Sequence, residues 1–304
     1  MQKGYNMKKG YNTAYALSSL KDNGLFPIHL AYEINKNNEK IDLLRFPGGT
    51  LSLDYDISAE GYGNAKTNKY LVKANPKNFI FDYIDLVNRL DYKPKTVYCL
   101  NLNPMIESND FSNWQNCLLP LKVLNENLGN DNIYCIEMGN ELFMHFYHKT
   151  KIFIDLCNFL IPKIKDICPN ALISLPVEGC NSNRGNDWNR RVNRWIVGFD
   201  AISPHFYIND LKLLNQEFLG KTTYINKGVF TPLNGKVICT EFNYKYNQNK
   251  TKLATKEICQ DIVDKMLNLA TELNFDTMLY HSLLQESKYK YSKYIVKNKL
   301  IELR

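Results

Sequence analysis

Several features that identify large classes of protein are missing from this chain of 304 residues. No apolar stretch is long enough to cross a bilayer, and none follows the charged N-terminal residues, so we expect neither a membrane anchor nor a secretory signal. No segment rich in proline, glycine and serine divides the chain, so we expect residues 1–304 to form a single domain. The same sequence would suit a cytoplasmic protein, the mature form of a secreted protein or a component of a virus particle.

Motifs for metals and nucleotides are missing as well. The chain has eight cysteines but no CxxC pair and no close spacing of cysteine and histidine, so we expect buried reduced thiols and no metal. Reduced thiols suit a reducing compartment such as the cytoplasm. His145 and His148 follow a glutamate closely, but ligand-type residues are common in polar loops and rarely bind a metal there. The glycine pair in FPGGT lacks the lysine of a phosphate loop, so we expect no cofactor.

Charge is a weak guide to the partners of this protein. The formal net charge is +7 and the pI is near 8.8, values that would suit an acidic partner such as nucleic acid or a polysaccharide that contains uronic acid. The lysines and arginines are, however, dispersed among acidic residues along most of the chain, which is typical of a solvated surface. We therefore expect no nucleic acid partner, and the sequence leaves the oligomeric state open.

Apolar strand-like segments alternate with amphipathic helix-like segments along most of the chain. We predict strands at 11–16, 41–46, 96–102, 133–136, 171–176, 200–204, 236–240 and 277–281, of which the first is weak. The intervening helices are predicted at 27–37, from 75, and at 114–128, 152–164, 188–196, 211–218 and 255–273. This alternation requires a parallel sheet, so the predicted fold is an α/β (β/α)8 TIM barrel, with a doubly wound open sheet as the less consistent alternative. The tail at 287–304 is predicted to form a closing β-ribbon that turns at Lys297 and Asn298.

Two of the predicted strands end in a glutamate. EMGNEL places Glu141 just after the strand at 133–136, and KVICTEFNY places Glu241 just after the strand at 236–240. A single glutamate in such a position more often stabilises the start of the next helix. Because the carboxyl ends of all strands of a barrel share one rim, two such glutamates can face each other. Two facing carboxyl groups are the catalytic groups of glycoside hydrolysis.

Four motifs occur at the ends of predicted strands, in the order LRFPGGT, EMGNEL, SPHFY and CTEFNY. With these motifs in this order, the chain from about 41 to 284 resembles the clan A retaining glycoside hydrolases. This superfamily includes heparanase-like glucuronidases and α-L-arabinofuranosidases. The resemblance implies a TIM barrel and a retaining glycosidase that cleaves a poly- or oligosaccharide.

The resemblance also implies a role for each matched residue. Glu141 would be the general acid/base, and Glu241 would be the nucleophile. Asn140 would hydrogen-bond the sugar 2-hydroxyl next to the scissile bond. His205 and Tyr207 would line the sugar subsite and hold the nucleophile.

The same resemblance places Arg45 beneath the nucleophile, where its charge would keep Glu241 ionised. From the residues alone, Arg45 could instead be an ion-pair partner at the bottom of the barrel. His205 and Tyr207 could be ordinary core residues on the same basis. We hypothesise that Arg45 and the Tyr207 hydroxyl keep Glu241 ionised, whereas burial and the neighbouring negative charge keep a proton on Glu141.

Further predicted substrate contacts are Asn103, Glu178 and Tyr280. The Asn103 amide suits a sugar hydroxyl, although asparagine also favours turns, and Glu178 is either a substrate contact or a solvated loop acid. Many relatives carry a tryptophan on strand eight, where this chain has LYHS, so we predict that the stacking ring comes from Tyr280 or from another residue elsewhere in the chain. Trp188 is predicted mainly to pack its helix.

The alternative function is a barrel that has lost turnover. Such a protein would bind carbohydrate or serve as a structural part of a virus particle or surface assembly. The missing tryptophan and the lack of an added β-sandwich domain favour this alternative. The two glutamates favour an enzyme.

Overall fold

Strands and helices alternate along the chain and close into a barrel. The computed structural model describes residues 7–13, 16–53, 55–57, 61–62, 79–179, 182–208, 236–244, 256–286, 293–297 and 300–303. The helix predicted at 211–218, the start of the helix predicted from 75, and Cys180 lie outside these ranges.

Parallel strands form the centre of the molecule. The strands are, in chain order, β1 (Lys8–Asn12), β2 (Leu43–Phe46), β3 (Tyr55–Asp56), β4 (Gly61–Tyr62), β5 (Lys95–Cys99), β6 (Ile133–Glu137), β7 (Leu172–Val177), β8 (Ala201–Ile208), β9 (Lys236–Tyr244), β10 (Thr277–His281), β11 (Leu284–Glu286), β12 (Tyr294–Lys297) and β13 (Leu300–Leu303). Strands β1, β2 and β5 to β10 pair in parallel around one axis, and β10 pairs with β1 to close the ring. The predicted (β/α)8 TIM barrel is therefore confirmed.

Helices surround this barrel. They are α1 (Ala16–Asp22), α2 (Pro27–Lys36), α3 (Ile80–Arg89), α4 (Asn103–Ser108), α5 (Trp114–Leu128), α6 (Leu142–Phe146), α7 (Thr150–Ile167), α8 (Asn183–Trp195) and α9 (Lys256–Glu272). On α7, the buried residues Phe153, Leu156, Leu160 and Ile164 recur at the helical period and pack towards the barrel. None of the helices in the described ranges has both the length and the apolar composition needed to cross a membrane.

The first barrel strand lies earlier than predicted. It runs from Lys8 to Asn12 instead of over 11–16, and it pairs with both β2 and β10. At Gly10 a Cβ atom would lie 1.9 Å from the carbonyl oxygen of Leu43, so only glycine allows the two backbones to approach. A strand with glycine at its centre and polar neighbours has little apolar signal, which explains the error.

Helix α8 also begins earlier than predicted, at Asn183 instead of 188. The Oγ atom of Ser182 accepts a hydrogen bond from the Gly185 N–H at 2.9 Å and caps the first turn. Trp188 is fully buried, donates from Nε1 to the Pro176 carbonyl at 3.1 Å and stacks on Phe153. It packs the helix, as predicted.

The barrel interior has an apolar lower layer. It is formed by one inward residue from each of six strands, namely Leu43, Val97, Cys135, Ala201, Ile238 and Leu279. Side chains alternate between the two faces of a strand, so the residues two positions later also point inward. On β2, β5 and β6 those residues are Arg45, Cys99 and Glu137, all fully buried. An ionic layer therefore lies directly above the apolar layer.

A small β-sheet follows the last barrel strand. Strand β11 pairs with β12, and β12 and β13 form an antiparallel hairpin in which Lys297 opposes Leu300. The Tyr294 hydroxyl donates to Glu39 Oε2 at 3.0 Å, which ties this sheet to the segment between α2 and β2. The predicted C-terminal β-ribbon is confirmed over the described residues, and Asn298 of the predicted turn lies outside them.

Candidate active site

The carboxyl ends of four barrel strands bring the predicted residues together. Arg45 lies in β2, and Glu141 follows β6 closely. His205 and Tyr207 lie in β8, in register with Glu241 and Asn243 of β9. Because these strands are parallel, their ends meet at one rim of the barrel.

Glu241 lies at the floor of this mouth and accepts several hydrogen bonds. Its Oε1 atom accepts from Arg45 Nη1 at 2.6 Å and from Asn12 Nδ2 at 3.2 Å, and its Oε2 atom accepts from the Tyr207 hydroxyl. Burial alone would raise the pKa of Glu241, but the charges of His205 and Arg45 and these hydrogen bonds outweigh burial. The pKa of Glu241 is therefore held well below its ordinary value, and the group is ionised.

Arg45 connects three groups beneath the mouth. Its side chain is fully buried, and besides Glu241 it donates from Nε to Glu137 Oε2 at 2.7 Å and from Nη2 to Asn140 Oδ1 at 2.9 Å. Burial opposes the positive charge, but Glu137 and Glu241 outweigh this effect and raise the pKa of Arg45. The planar guanidinium group thereby fixes the positions of both glutamates and of the Asn140 amide.

Glu137 is a third carboxylate, which the sequence analysis missed. It is fully buried at the end of β6 and accepts from Thr240 Oγ1 at 2.7 Å as well as from Arg45. Burial would raise the pKa of Glu137, but the charges of Arg45 and His205 lower it overall. The sequence does contain a signal for this role of Glu137. Because Glu137 lies two residues after the inward Cys135, it also points inward, and a buried glutamate requires a cation beside it.

His205 lies between the two predicted catalytic glutamates. Its Nδ1 atom lies 3.0 Å from Glu141 Oε1 and 3.8 Å from Glu241 Oε2, and its Nε2 atom lies 2.9 Å from Thr240 Oγ1. Burial would lower the pKa of His205, but the Glu241 charge and its bonds to Glu137 and Glu141 raise it to about 10. At neutral pH both ring nitrogens therefore carry protons and donate.

These distances limit the separation of the two catalytic-type carboxylates. Glu141 Oε1 and Glu241 Oε2 cannot be farther apart than the sum of their distances to His205 Nδ1, which are 3.0 Å and 3.8 Å. Retaining glycosidases place their two carboxyl groups about 5–5.5 Å apart, and inverting enzymes about 6.5–9.5 Å apart. This upper limit on the distance between the two oxygens allows the separation that is typical of retaining enzymes. It allows only the shortest separations that are typical of inverting enzymes.

A tight turn directs Glu141 into the mouth. Gly139 has a φ of 89° and Glu141 a φ of 46°, and a Cβ atom at Gly139 would lie 2.5 Å from Leu142 Cδ1. Both angles are in the left-handed region, which favours glycine and is uncommon for glutamate. Glu141 occupies the N-cap position of α6, yet its side chain makes no capping hydrogen bond in this helix. Its carboxylate contacts His205 instead, so capping does not explain this glutamate.

Strand β10 places His281, and not Tyr280, at the mouth. Tyr280 contacts Tyr11 and Phe242 edge-on and packs in the layer between barrel and helices. Because Leu279 points inward and side chains alternate along a strand, Tyr280 lies on the outward face, and its predicted stacking on a sugar remains a prediction. The His281 ring centre lies 6.3 Å from that of Tyr207.

The other predicted substrate contacts lie further from this cluster. Asn103 begins α4, and its buried Oδ1 atom has no hydrogen-bond partner in the part of the chain that is described. Glu178 lies after β7, where its Oε1 atom accepts from Ser182 Oγ at 3.1 Å beside the start of α8. Glu178 therefore interacts locally with the loop, and its predicted contact with substrate remains a prediction.

Six cysteines form no disulfide, namely Cys99, Cys117, Cys135, Cys157, Cys168 and Cys239. Cys99, Cys135 and Cys239 are buried in the barrel, and burial raises the pKa of each thiol. These thiols are thus neutral side chains of the core.

Comparison with known proteins shows a shared fold. No family model matches the chain, and no curated protein matches it significantly. An α-L-arabinofuranosidase from Thermotoga maritima has a TM-score of 0.63 at 14% identity, over 99% of this chain and 68% of that enzyme. A family 51 α-L-arabinofuranosidase from Bifidobacterium longum has a TM-score of 0.64 at 10% identity, over 98% of this chain and 69% of that enzyme.

A family 1 β-glucosidase from Thermotoga maritima has a TM-score of 0.61 at 9% identity, over 100% of this chain and 96% of that enzyme. The chain spans about two thirds of the length of the arabinofuranosidases that it matches. These neighbours are TIM-barrel enzymes of glycoside hydrolase clan A. At such identities the likeness shows that this chain has the fold of these glycosidases.

Proposed function

We propose that this protein is a retaining glycoside hydrolase that cleaves a poly- or oligosaccharide by double displacement. The proposal rests on one observation, which is that two glutamates in different environments, Glu141 and Glu241, both lie close to His205. The Glu241 side chain is 5% exposed and contacts Arg45, whereas that of Glu141 is 27% exposed and contacts His205. This asymmetry suits one buried nucleophile and one acid/base that leaving group and water can reach.

In the first step, ionised Glu241 attacks the anomeric carbon and forms a glycosyl ester. The bond from that carbon to the leaving oxygen breaks, and Glu141 protonates this oxygen. In the second step, Glu141 accepts a proton from water, the water oxygen attacks the anomeric carbon, and Glu241 leaves as a carboxylate. The protein requires no cofactor for this chemistry.

His205 and Asn140 assist in this mechanism through their positions. His205 Nδ1 lies 3.0 Å from Glu141 Oε1, and this hydrogen bond positions the carboxyl group of the proposed acid/base. Arg45 donates to Asn140 Oδ1, which leaves the Asn140 Nδ2 group free to donate to the sugar 2-hydroxyl.

The test is a panel of aryl glycosides of neutral and acidic sugars, combined with a mechanism-based reagent that traps the nucleophile. We expect turnover of at least one glycoside, a covalent label on Glu241, and loss of turnover in Glu241→Gln. Glu141→Gln should retain slow turnover of substrates with good leaving groups, because these need little protonation. Wild-type turnover in Glu241→Gln, or a label on another residue, would show that the assignment is wrong.

The second candidate is a carbohydrate-binding or structural barrel without turnover. One observation favours it, since β10 carries no tryptophan and the buried Nδ1 atom of His281 has no partner among the described residues. Sugar binding without turnover and without labelling of Glu241 would support this candidate.

A further inference from the structure

The helix that follows Glu141 is too short to be stable by itself. Helix α6 begins directly after Glu141 and ends at Phe146, so it comprises five residues. Starting a helix is costly, and five residues form too few hydrogen bonds to offset that cost. The left-handed backbone conformation of Glu141, with a φ of 46°, is also unfavourable. Contacts with the rest of the molecule must therefore keep α6, and with it Glu141, in place.

Arg184 in helix α8 supplies such contacts. Its Nη2 group donates to the carbonyl oxygens of Phe143 and Met144, the latter at 2.6 Å. Both carbonyls belong to the last four residues of α6, whose carbonyl groups have no partner within a helix. A positively charged donor stabilises such carbonyls by hydrogen bonding and by its charge. Arg184 therefore stabilises the end of α6 that lies away from the turn at Gly139.

Tyr147 and Asp187 form a second link between the same two segments. The hydroxyl of Tyr147, which directly follows α6, donates to Asp187 Oδ2 at 2.8 Å. The guanidinium carbon of Arg184 lies 5.4 Å from the centre of the Tyr147 ring, which is within the range of a cation–π contact. The Asp187 carboxylate also pairs with Arg190 at 2.6 Å and with Arg191 at 2.8 Å. The residue after α6 is thus bound to the same part of α8 as α6 itself.

Helix α8 is in turn anchored to the barrel. The fully buried side chain of Asn189 accepts from the Glu178 N–H and donates to the Glu178 carbonyl, both at 3.0 Å. Trp188, also fully buried, donates to the carbonyl of Pro176 in β7 at 3.1 Å. Arg184 therefore connects α6 to a helix that the core holds in place.

We propose that Arg184 is a positioning residue for Glu141. By holding the carbonyls of α6, it keeps Glu141 in the left-handed conformation that turns the carboxyl group towards His205. The inference rests on the proposed function, because it assigns Arg184 an indirect role in the protonation of the leaving oxygen. General acid catalysis requires hydrogen-bond geometry between the acid and that oxygen, so a small displacement of Glu141 weakens it.

The first test measures hydrogen exchange of the backbone amides of α6 in the wild-type protein and in Arg184→Met. Methionine donates no hydrogen bond to the carbonyls, and Arg184 is exposed, so the variant should fold. We expect exchange across Leu142–Phe146 to be at least about fivefold faster in the variant, because the helix opens more easily. Exchange in the barrel strands should stay unchanged. An unchanged exchange rate in α6 would overturn the proposal.

The second test compares aryl glycosides that differ only in their leaving group, made with the sugar that the wild-type protein hydrolyses best. A dinitrophenolate leaves with little help from an acid, whereas a phenolate needs protonation by Glu141. In Arg184→Met, kcat/KM should fall at least about tenfold for the phenyl glycoside and less than about twofold for the dinitrophenyl glycoside. A merely structural role would lower both values alike, so equal losses would overturn the proposal.

Arg194→Met is the matched control, because it removes the same charge from the same helix. The guanidinium carbon of Arg194 lies 4.9 Å from the centre of the Trp195 ring, at the other end of α8. Exchange in α6 and the dependence on the leaving group should both match those of the wild-type protein. Effects equal to those of Arg184→Met would show that overall charge is the cause and would overturn the proposal.

Tyr147→Phe removes the second link and leaves Arg184 in place. It should change the exchange rate of α6 and kcat/KM for the phenyl glycoside in the same direction as Arg184→Met, but only about threefold. A larger effect than that of Arg184→Met would show that Tyr147, and not Arg184, holds α6.

The two proposals fail in different ways. A wild-type protein that hydrolyses none of the glycosides and is not labelled at Glu241 would overturn the hydrolase, and the exchange rates would still decide whether Arg184 holds α6. Turnover and labelling in the wild-type protein, together with unchanged exchange in Arg184→Met, would overturn the role of Arg184 alone.

Discussion

Two layers of the barrel interior have opposite chemistry although the same strands build both. In the lower layer Leu43 and Cys135 pack among other apolar side chains, whereas two residues further along the same strands are Arg45 and Glu137. Both layers are buried. The lower layer removes apolar surface from water and stabilises the fold. The upper layer places charges in a low-dielectric environment, which is costly unless each charge is paired, so we propose that this part of the barrel serves chemistry.

The largest effect is expected from removing the central cation. Arg45→Met leaves Glu137 and Glu241 buried without their guanidinium partner. Breaking a buried ion pair costs about 3–5 kcal/mol, so the free energy of unfolding should fall by that amount, as measured with denaturant. Activity on the best substrate of the panel should fall at least about 100-fold, because Glu241, the proposed nucleophile, loses the group that keeps it ionised.

The matched change in the lower layer is Leu43→Ala. The free energy of unfolding should fall by about 2–5 kcal/mol because a cavity is left. The activity of the folded fraction should change less than about twofold. If both variants lost activity alike, the functional distinction between the layers would be wrong.

A second effect concerns pH and the charge of His205. The pKa of His205 is raised from 6.5 to about 10 in the folded protein. Because the folded protein holds the His205 proton more tightly than the unfolded chain does, protonated His205 stabilises the fold. This stabilisation is complete below pH 6.5 and is lost as the pH rises to about 10. Unfolding followed by denaturant should show a decline over this range, on the order of a few kcal/mol at most.

His205→Asn should remove this alkaline decline. The exposed His148→Asn variant is the control and should retain it. The groups that face His205 are Glu137, Glu141, Glu241, Thr240, His281, Arg45 and Tyr207. The pKa values of Glu137 and Glu241 are lowered in the folded protein, so these two groups add to the free energy of unfolding at neutral pH. This contribution is lost when the pH falls below the ordinary pKa range of a glutamate. An unchanged alkaline slope in His205→Asn would show that another group causes it.

A smaller effect is expected from Thr240→Val, which removes the hydroxyl between His205 Nε2 and Glu137 Oε1. Two buried polar groups then lose a partner, so the free energy of unfolding should fall by about 1–3 kcal/mol. The pH profile of kcat/KM should shift as well. Thr240→Ser keeps the hydroxyl and should restore the pH profile. If the effect of Thr240→Val came only from a change in side-chain volume, Thr240→Ser would not restore the profile.

The smallest effect is expected from Tyr280→Phe. Tyr280 packs between the barrel and the helices, so activity should change less than about twofold. His281→Ala, on the inward side of the same strand, should reduce activity much more. Equal losses in the two variants would show that the inward and outward faces of β10 have been assigned incorrectly.

The sequence by itself determined the barrel and the two glutamates at its rim. The alternation of apolar strands with amphipathic helices is a local pattern, and it is sufficient to require a parallel sheet. It also predicted Glu141 and Glu241 just after two strands, whereas the structure extends β9 to Tyr244 and so includes Glu241 in the strand. The first strand was placed incorrectly because Gly10 makes a close backbone contact with β2 and leaves little apolar signal.

The tertiary structure decided which groups surround these glutamates. Asn12, Glu137 and Thr240 come from β1, β6 and β9, and no local pattern predicts that they meet around Arg45 and His205. Strand alternation could have assigned the inward position to His281 over Tyr280 from sequence, once Leu279 was placed in the core. The periodicity along a strand is a local property and can be predicted from sequence. The charges that keep a carboxylate ionised lie on other strands of the barrel, and only the closed fold sets their distances from it.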